Sequence, residues 1–256
     1  MAHLGICTYP LIPIRDLPSE AAEQTSQLIF GEAYEILETI DRWTRIRTLF
    51  DNYLGWVDFK LPHTLPPEFM SQWLNATPTI STSPISHILR HGDPRPMPIT
   101  GGSEFRLISD NSFLIGDTLF SLTPDTLSPT LPADPIDAAL QFFGSPYLWG
   151  GRSLFGIDCS GLTQIAHKIC GRPIPRDASQ QVHLGHEVSL AQAARNDLAF
   201  FQKDDGRICH VGLYMGDNHI LHSSGSVRID SLDSYGIYNN ERQTYTHKLL
   251  CLKHLD

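Results

Sequence analysis

Short apolar runs separated by turn residues fill the first half of this chain, and helix-like apolar stripes open the second. Through residues 1 to 120 the runs are rich in β-branched and aromatic side chains, and Asp51-Asn52, Gly92-Asp93-Pro94 and Gly101-Gly102 break them. Small β-barrels are the expected outcome. A break at Leu61-Pro62-His63-Thr64-Leu65-Pro66-Pro67 divides this half into modules at 1–62 and 63–124, each near the lower size limit for a core that stands alone. Ser121 to Pro135 carries four prolines and no hydrophobic period, and is read as the main boundary.

Beyond it, Asp134 supplies an N-cap, Pro135 the first helical position, and Ile136, Ala139, Leu140 and Phe143 one apolar stripe that Gly144 ends. A second helix is predicted from Ser160, with Leu162, Ile165, Ala166 and Ile169 on one face and Gly171 and Pro173 at its end. Strand-like segments follow at Asp197–Phe201, Ile208–Met215 and His219–Ser223. Helices followed by strands indicate an α+β domain over 133–256.

A formal charge of −9 on 256 residues, with no cluster of Lys and Arg, excludes nucleic acid as the expected partner. No stretch approaches the roughly 18 apolar residues of a membrane span, so no membrane partner is expected. The start of the chain has no cationic segment, and Pro10 and Pro13 interrupt its apolar run, unlike a signal peptide. Leu4-Gly5-Ile6-Cys7 is a lipoprotein-like box, but it lacks a hydrophobic segment ahead of it. Five scattered cysteines suit a reducing compartment, and a cytoplasmic location is expected.

The candidate chemistry centres on Cys159. Asp158-Cys159-Ser160-Gly161 opens the second helix after the glycine-rich approach Gly150–Gly156. The partial positive charge of a helix N-terminus favours thiolate over thiol. In Ile208–Gly216 the apolar positions Val211, Leu213 and Met215 alternate, which turns His210 to the other face of the strand. His222 shares that face if the following hairpin has an odd loop such as Gly216-Asp217-Asn218; a two-residue loop at Asp217-Asn218 would separate the two histidines. Cys159, His210 and His222 then form a nucleophile, base and orienter. A zinc site from the same three residues is the competing chemistry, but no close C-x-x-C or H-x₃₋₅-H pair supports it, and no metal or cofactor is expected.

Several segments together carry a resemblance. Pro146-Tyr147-Leu148-Trp149-Gly150-Gly151, Gly156-Ile157-Asp158-Cys159-Ser160-Gly161-Leu162, Pro175-Arg176-Asp177, Asp197–Phe201, His210–Gly216 and His222 match the NlpC-type cysteine peptidases in order and spacing. Ser26–Glu32, Ile36-Leu37-Glu38, Asp41-Arg42-Trp43 and Tyr53–Val57 resemble a bacterial SH3-like module, and the second module is more divergent. The resemblance implies a pared-down papain-like fold behind two SH3-like barrels, with Cys159, His210 and His222 as triad and Tyr147 beside the oxyanion. It further implies a γ-D-glutamyl-L-diamino-acid endopeptidase acting on murein-derived peptides with a free N-terminal L-Ala. Glu32, Tyr53 and Asp177 would hold the substrate's ammonium, with Ser160 and Trp149 also among the substrate-binding residues. Where that family often has Ser after the Asp, this chain has Ala178. Two other readings stay open: a non-catalytic wall-binding protein, and a secreted endopeptidase acting on intact peptidoglycan.

Overall fold

A computed structural model describes residues 3–61, 63–124, 126 and 132–255. It divides into two compact units, Met1–Leu131 with Trp149–Leu154, and Pro132–Leu148 with Phe155–Asp256. Parts of the Ser121–Pro135 seam, residues 125 and 127–131, lie outside the described residues.

The first unit holds two antiparallel sheets in sequence. β1 (His3–Ile6), β2 (Leu11–Arg15), β3 (Gln24–Ile29), β4 (Ala33–Ile40), β5 (Trp43–Thr48) and β6 (Leu54–Asp58) form one sheet in the order β1-β4-β5-β6-β2-β3. Alternating inward positions on these strands put Ile12, Ile14, Leu28, Tyr34, Ile46 and Val57 into a core. The β4–β5 turn places Asp41 at positive φ, a conformation its short polar side chain tolerates. Helix α1 (Pro67–Asn75) follows, then β7 (Thr79–Ile80), β8 (Ile85–Arg90), β9 (Pro96–Thr100), β10 (Glu104–Phe105), β11 (Leu107–Ser109), β12 (Ser112–Ile115) and β13 (Thr118–Leu122). Five of these strands pair as β11-β12-β13-β8-β9, and β7 pairs with β10. Their core is aromatic: Phe30 is in ring contact with Phe105, Phe113 and Phe120, and Phe113 with Phe105 and Phe120, beside Met70 and Trp73 of α1. Sequence periodicity had not singled out α1, whose nine residues bury only Met70 and Trp73.

Also in this unit is β14 (Arg152–Ser153), in the segment Trp149–Leu154. Arg152 is fully buried. Its guanidinium grips both carboxylate oxygens of Glu32, at 2.9 and 2.8 Å, and donates to the Gln27 carbonyl at 2.7 Å. The Arg152 N–H donates to the Gln27 side chain, and the Ile29 N–H to Glu32 Oε2.

In the second unit, α2 (Pro135–Leu140) starts as predicted, with the Asp134 side chain accepting from the Asp137 N–H. β15 (Gly156–Ile157), α3 (Cys159–Ile169), α4 (Ala178–Gln181) and β16 (His186–Val188) follow. Then come β17 (Leu198–Gln202), β18 (Ile208–Gly216), β19 (His219–Ser224), β20 (Ser226–Leu232), β21 (Gly236–Asn239) and β22 (Thr244–His254). The sheet runs β16-β22-β17-β18-β19-β20-β21, and a further pairing of β21 with β22 closes six of the strands into a ring. One face of the ring encloses Ala199, Phe201, Tyr214, Ile220, Leu232, Ile237 and Leu252. The alternate positions Leu198, Phe200, Val211, Leu213 and Leu221 are also fully buried, on the face that α2, α3 and α4 cover.

Candidate active site

Helix α3 begins at Cys159 because Asp158 caps it: the carboxylate accepts from the Gly161 N–H at 2.7 Å. Arg176 in turn clamps Asp158 with two bonds, at 3.0 and 2.6 Å, and donates to the Ser160 hydroxyl at 2.9 Å. Asp158, Cys159, Ser160, Gly161 and Arg176 are all buried. A bidentate pair of this kind holds geometry as well as charge, so the turn carrying the sulfur is locked from beneath.

The sulfur lies against the next strand layer, where the Val211 N–H is hydrogen-bonded to it. That amide belongs to the residue following His210. The thiol is nevertheless pushed up to about 12, by burial first and by the Asp158 carboxylate second; the Val211 and Ser160 amides and Arg176 pull the other way without prevailing. A helix-start thiolate at rest, expected from the sequence, is therefore replaced by a neutral thiol. The cost of desolvating sulfur outweighs the helix-end charge. Tyr147 is close enough for the Cys159 and Asp158 charges to raise its hydroxyl's pKa, after burial as the main cause.

The histidines do share a face. The β18–β19 turn is the two-residue Asp217-Asn218, both at positive φ, which alone would have put them on opposite faces. A bulge between Tyr214 and Gly216 restores the parity, and Leu213 opposes Leu221. Phe201 opposes His210, and Ile220 shares the ring interior with His222, so both imidazoles point inward. Gly212 between them has no room for a side chain: a Cβ would lie 2.7 Å from Ile220 and 2.9 Å from the His222 Cβ.

A chain of hydrogen bonds then fixes the tautomers. His210 Nε2 is 2.8 Å from His222 Nδ1, and His222 Nε2 is 3.0 Å from Asp230 Oδ2. Arg228 donates twice to Asp230, at 2.8 and 2.9 Å, and the carboxyl is held below its ordinary range by His222 and Arg228 despite burial. An ionised carboxylate only accepts, so His222 donates to Asp230 from Nε2; with a neutral His222, its Nδ1 accepts the His210 Nε2–H and the lone pair of His210 is left at Nδ1. Burial, together with His247 and His222, holds the His210 imidazole well below its ordinary pKa, so it is neutral at pH 7.

Of the substrate-side residues read from the sequence, Ser160 is tied to Asp158 and Arg176. Asp177 follows Arg176 directly, is half-buried, and starts α4, where its N–H donates to the Gln180 side chain. In the other unit Trp149 is exposed rather than a core aromatic, and Tyr53 is half-buried with its hydroxyl on the Thr25 carbonyl at 3.4 Å. Glu32 has the Arg152 guanidinium across both oxygens.

Sequence reading missed Asp230, Arg228, His247 and the clamping role of Arg176. Arg176 stood within a quoted motif, yet nothing local told whether it faces solvent. Asp230 and Arg228 are legible only once β20 is registered on β19, where His222 opposes Arg228.

Comparison with known proteins bears on the same regions. Residues 144–247 match the NlpC/P60 family and residues 14–60 the bacterial dipeptidyl-peptidase Sh3 domain. A gamma-D-glutamyl-L-lysine dipeptidyl-peptidase of Bacillus subtilis (strain 168) is 29% identical over 240 residues, covering 86% of this chain and 75% of that one. Its namesake from Bacillus cereus (strain ATCC 10987 / NRS 248) is 41% identical over 103 residues, which are 39% of this chain and 31% of the relative. The crystal structure of an NlpC/P60 family protein from Bacillus cereus ATCC 10987 has the same fold, with a TM-score of 0.81 at 20% identity over 98% of this chain and 99% of that one. Residues 144–247 are accordingly an NlpC/P60 family domain, and a bacterial dipeptidyl-peptidase Sh3 domain precedes it in the chain.

Proposed function

We propose that this chain is a cysteine peptidase that hydrolyses the γ-D-glutamyl-diamino acid bond of peptidoglycan-derived peptides with a free N-terminal L-Ala, as a step of cytoplasmic murein peptide recycling. The observation that carries the reading is the inward chain His210–His222–Asp230, which leaves a basic lone pair on the residue next to the amide that touches the Cys159 sulfur. Substrate would meet a neutral thiol and a neutral imidazole. His210 Nδ1 takes the thiol proton as sulfur attacks the γ-carbonyl, and the tetrahedral oxyanion is met by the Cys159 N–H and the Tyr147 hydroxyl. The imidazolium then protonates the leaving amine of the diamino acid, and water hydrolyses the thioester with His210 again as base. His222 and Asp230 stabilise the transient positive charge.

The substrate class is supported by the names of the two Bacillus relatives. An ammonium in a closed pocket needs a carboxylate, and such a pocket disfavours peptides extended at that end. Glu32 is already neutralised by Arg152, so in this reading Asp177 supplies the principal attraction. The unpaired state of all five cysteines fits a reducing compartment.

The test compares L-Ala-γ-D-Glu-L-Lys and its diaminopimelate analogue with their N-acetylated forms and with intact sacculi. Release of L-Ala-γ-D-Glu from the free peptides alone is expected. Equal release from acetylated peptides or sacculi would refute the free-amine specificity.

A further inference from the structure

His247 has no part in the scheme above, yet its ring lies on the proposed base. The two imidazole centroids are 4.1 Å apart with planes inclined by 24°, a stacked pair. His210 is buried at 3% exposure, whereas His247 is half-buried and lines an open groove of about 940 Å³ with Lys203, Asp204, Asp205, Cys209, Tyr245 and Lys248. One face of His247 therefore meets the base, and its Nδ1 lies 2.9 Å from the Thr246 hydroxyl, which lines the same groove. Phe201 and His222 stand edge-on to the same ring at 6.0 Å each, so the stack is confined from two further sides.

Resting on the peptidase reading above, we propose that His247 is a positioning residue for His210: it fixes the plane of that imidazole by stacking and takes the incoming proton in its place as the medium becomes acidic. Two stacked imidazoles at this distance do not both carry charge. The groups facing His247 decide which one is protonated first. From β18 there is His210, from β19 His222, and from β20 Asp230, whose negative charge favours a proton on His247. The groove that His247 lines also carries Lys203, Lys248, Asp204 and Asp205, two charges of each sign. His247 is held at about 4, chiefly by burial and then by His222, and His210 lies well below its ordinary value with His247 among the causes. Protonated His247 thus repels a proton from His210, whose Nδ1 lone pair stays available.

Two variants separate the stack from the proton. His247→Phe keeps a ring and removes the titration; His247→Ala removes both. Nitrogen-15 NMR of the histidine rings in the full chain reads the titration directly and does not depend on turnover. In the wild type His247 should titrate before His210, and in His247→Phe the His210 titration should move up by about 0.5 to 1 pH unit. In peptide hydrolysis, the acid limb of kcat/KM should shift upward equally in His247→Phe. At pH 8, His247→Ala should lose about tenfold or more through misplacement of the base, and His247→Phe should recover most of that loss. An unmoved His210 titration in the Phe variant, or full activity at pH 8 in a folded Ala variant, overturns the proposal. Absence of turnover by the wild type with the NMR order as expected refutes the peptidase reading instead.

Discussion

The interior of the ring of strands in the second unit holds two kinds of side chain. Ala199, Phe201, Tyr214, Ile220, Leu232, Ile237 and Leu252 pack there as an apolar core. The same inward register brings in His210, His222, Asp230 and His247, buried or half-buried and tied to one another, with Asp230 opposite Ile220 and His247 opposite Ile237. The apolar set stabilises in proportion to the area it removes from water. The polar set requires every donor and acceptor to be matched, because an unpaired buried polar group is costly. Strand alternation places both sets by one rule, and side-chain chemistry alone separates them.

Substitutions should therefore leave different signatures in the two sets. The largest effect is expected for His210→Ala, which should lower kcat/KM by about 10⁴-fold or more, far beyond what the loss of one buried hydrogen bond costs in thermal stability. Asp230→Asn should cost about 10³-fold, since an amide no longer enforces the His222 tautomer and leaves Arg228 without its buried counter-charge. Leu252→Ala reverses the pattern: denaturant unfolding should show a loss of about 2–5 kcal/mol, while kcat/KM falls less than about tenfold. A Leu252 variant that damaged turnover as severely as Asp230→Asn would erase the distinction.

The pH dependence of stability sharpens it further. His247 and His167 are held at about 4, and His210 well below its ordinary value, all chiefly by burial. Their unfolded forms take up protons near 6.5 while the folded forms do not. Stability is thus fully present above that pH and is lost as pH falls toward 4, by at most about 1.4 kcal/mol per pH unit for each histidine. Calorimetry from pH 7 to pH 4.5 should show this decline, and His247→Phe should make it shallower.

Much of this arrangement was legible in the chain itself. The starts of α2 and α3 follow from local rules, an aspartate cap and an apolar stripe, and the strands at 198–202, 208–216 and 219–224 from alternation, whereas α2 ends at Leu140, ahead of the Gly144 stop that the stripe implied. The histidine parity was legible only as a condition, because a bulge that lengthens one strand by a residue leaves no mark in composition. The protonation state at Cys159 was misjudged because helix-end charge is local and readable, whereas burial depends on what covers the sulfur. Glu32 illustrates the same limit: its partner Arg152 lies 120 positions away, beyond any pattern in neighbouring residues.

If a neutral thiol at Cys159 gives its proton to His210 as sulfur attacks, the enzyme becomes acylated in each turnover. Acid-quenched mixtures of the chain with L-Ala-γ-D-Glu-L-Lys, digested and mapped by mass spectrometry, should then show an L-Ala-γ-D-Glu thioester on the Cys159 fragment of the wild type and none on that of His210→Ala, with no hydrolysis by Cys159→Ala. Undiminished hydrolysis by Cys159→Ala would rule this chemistry out.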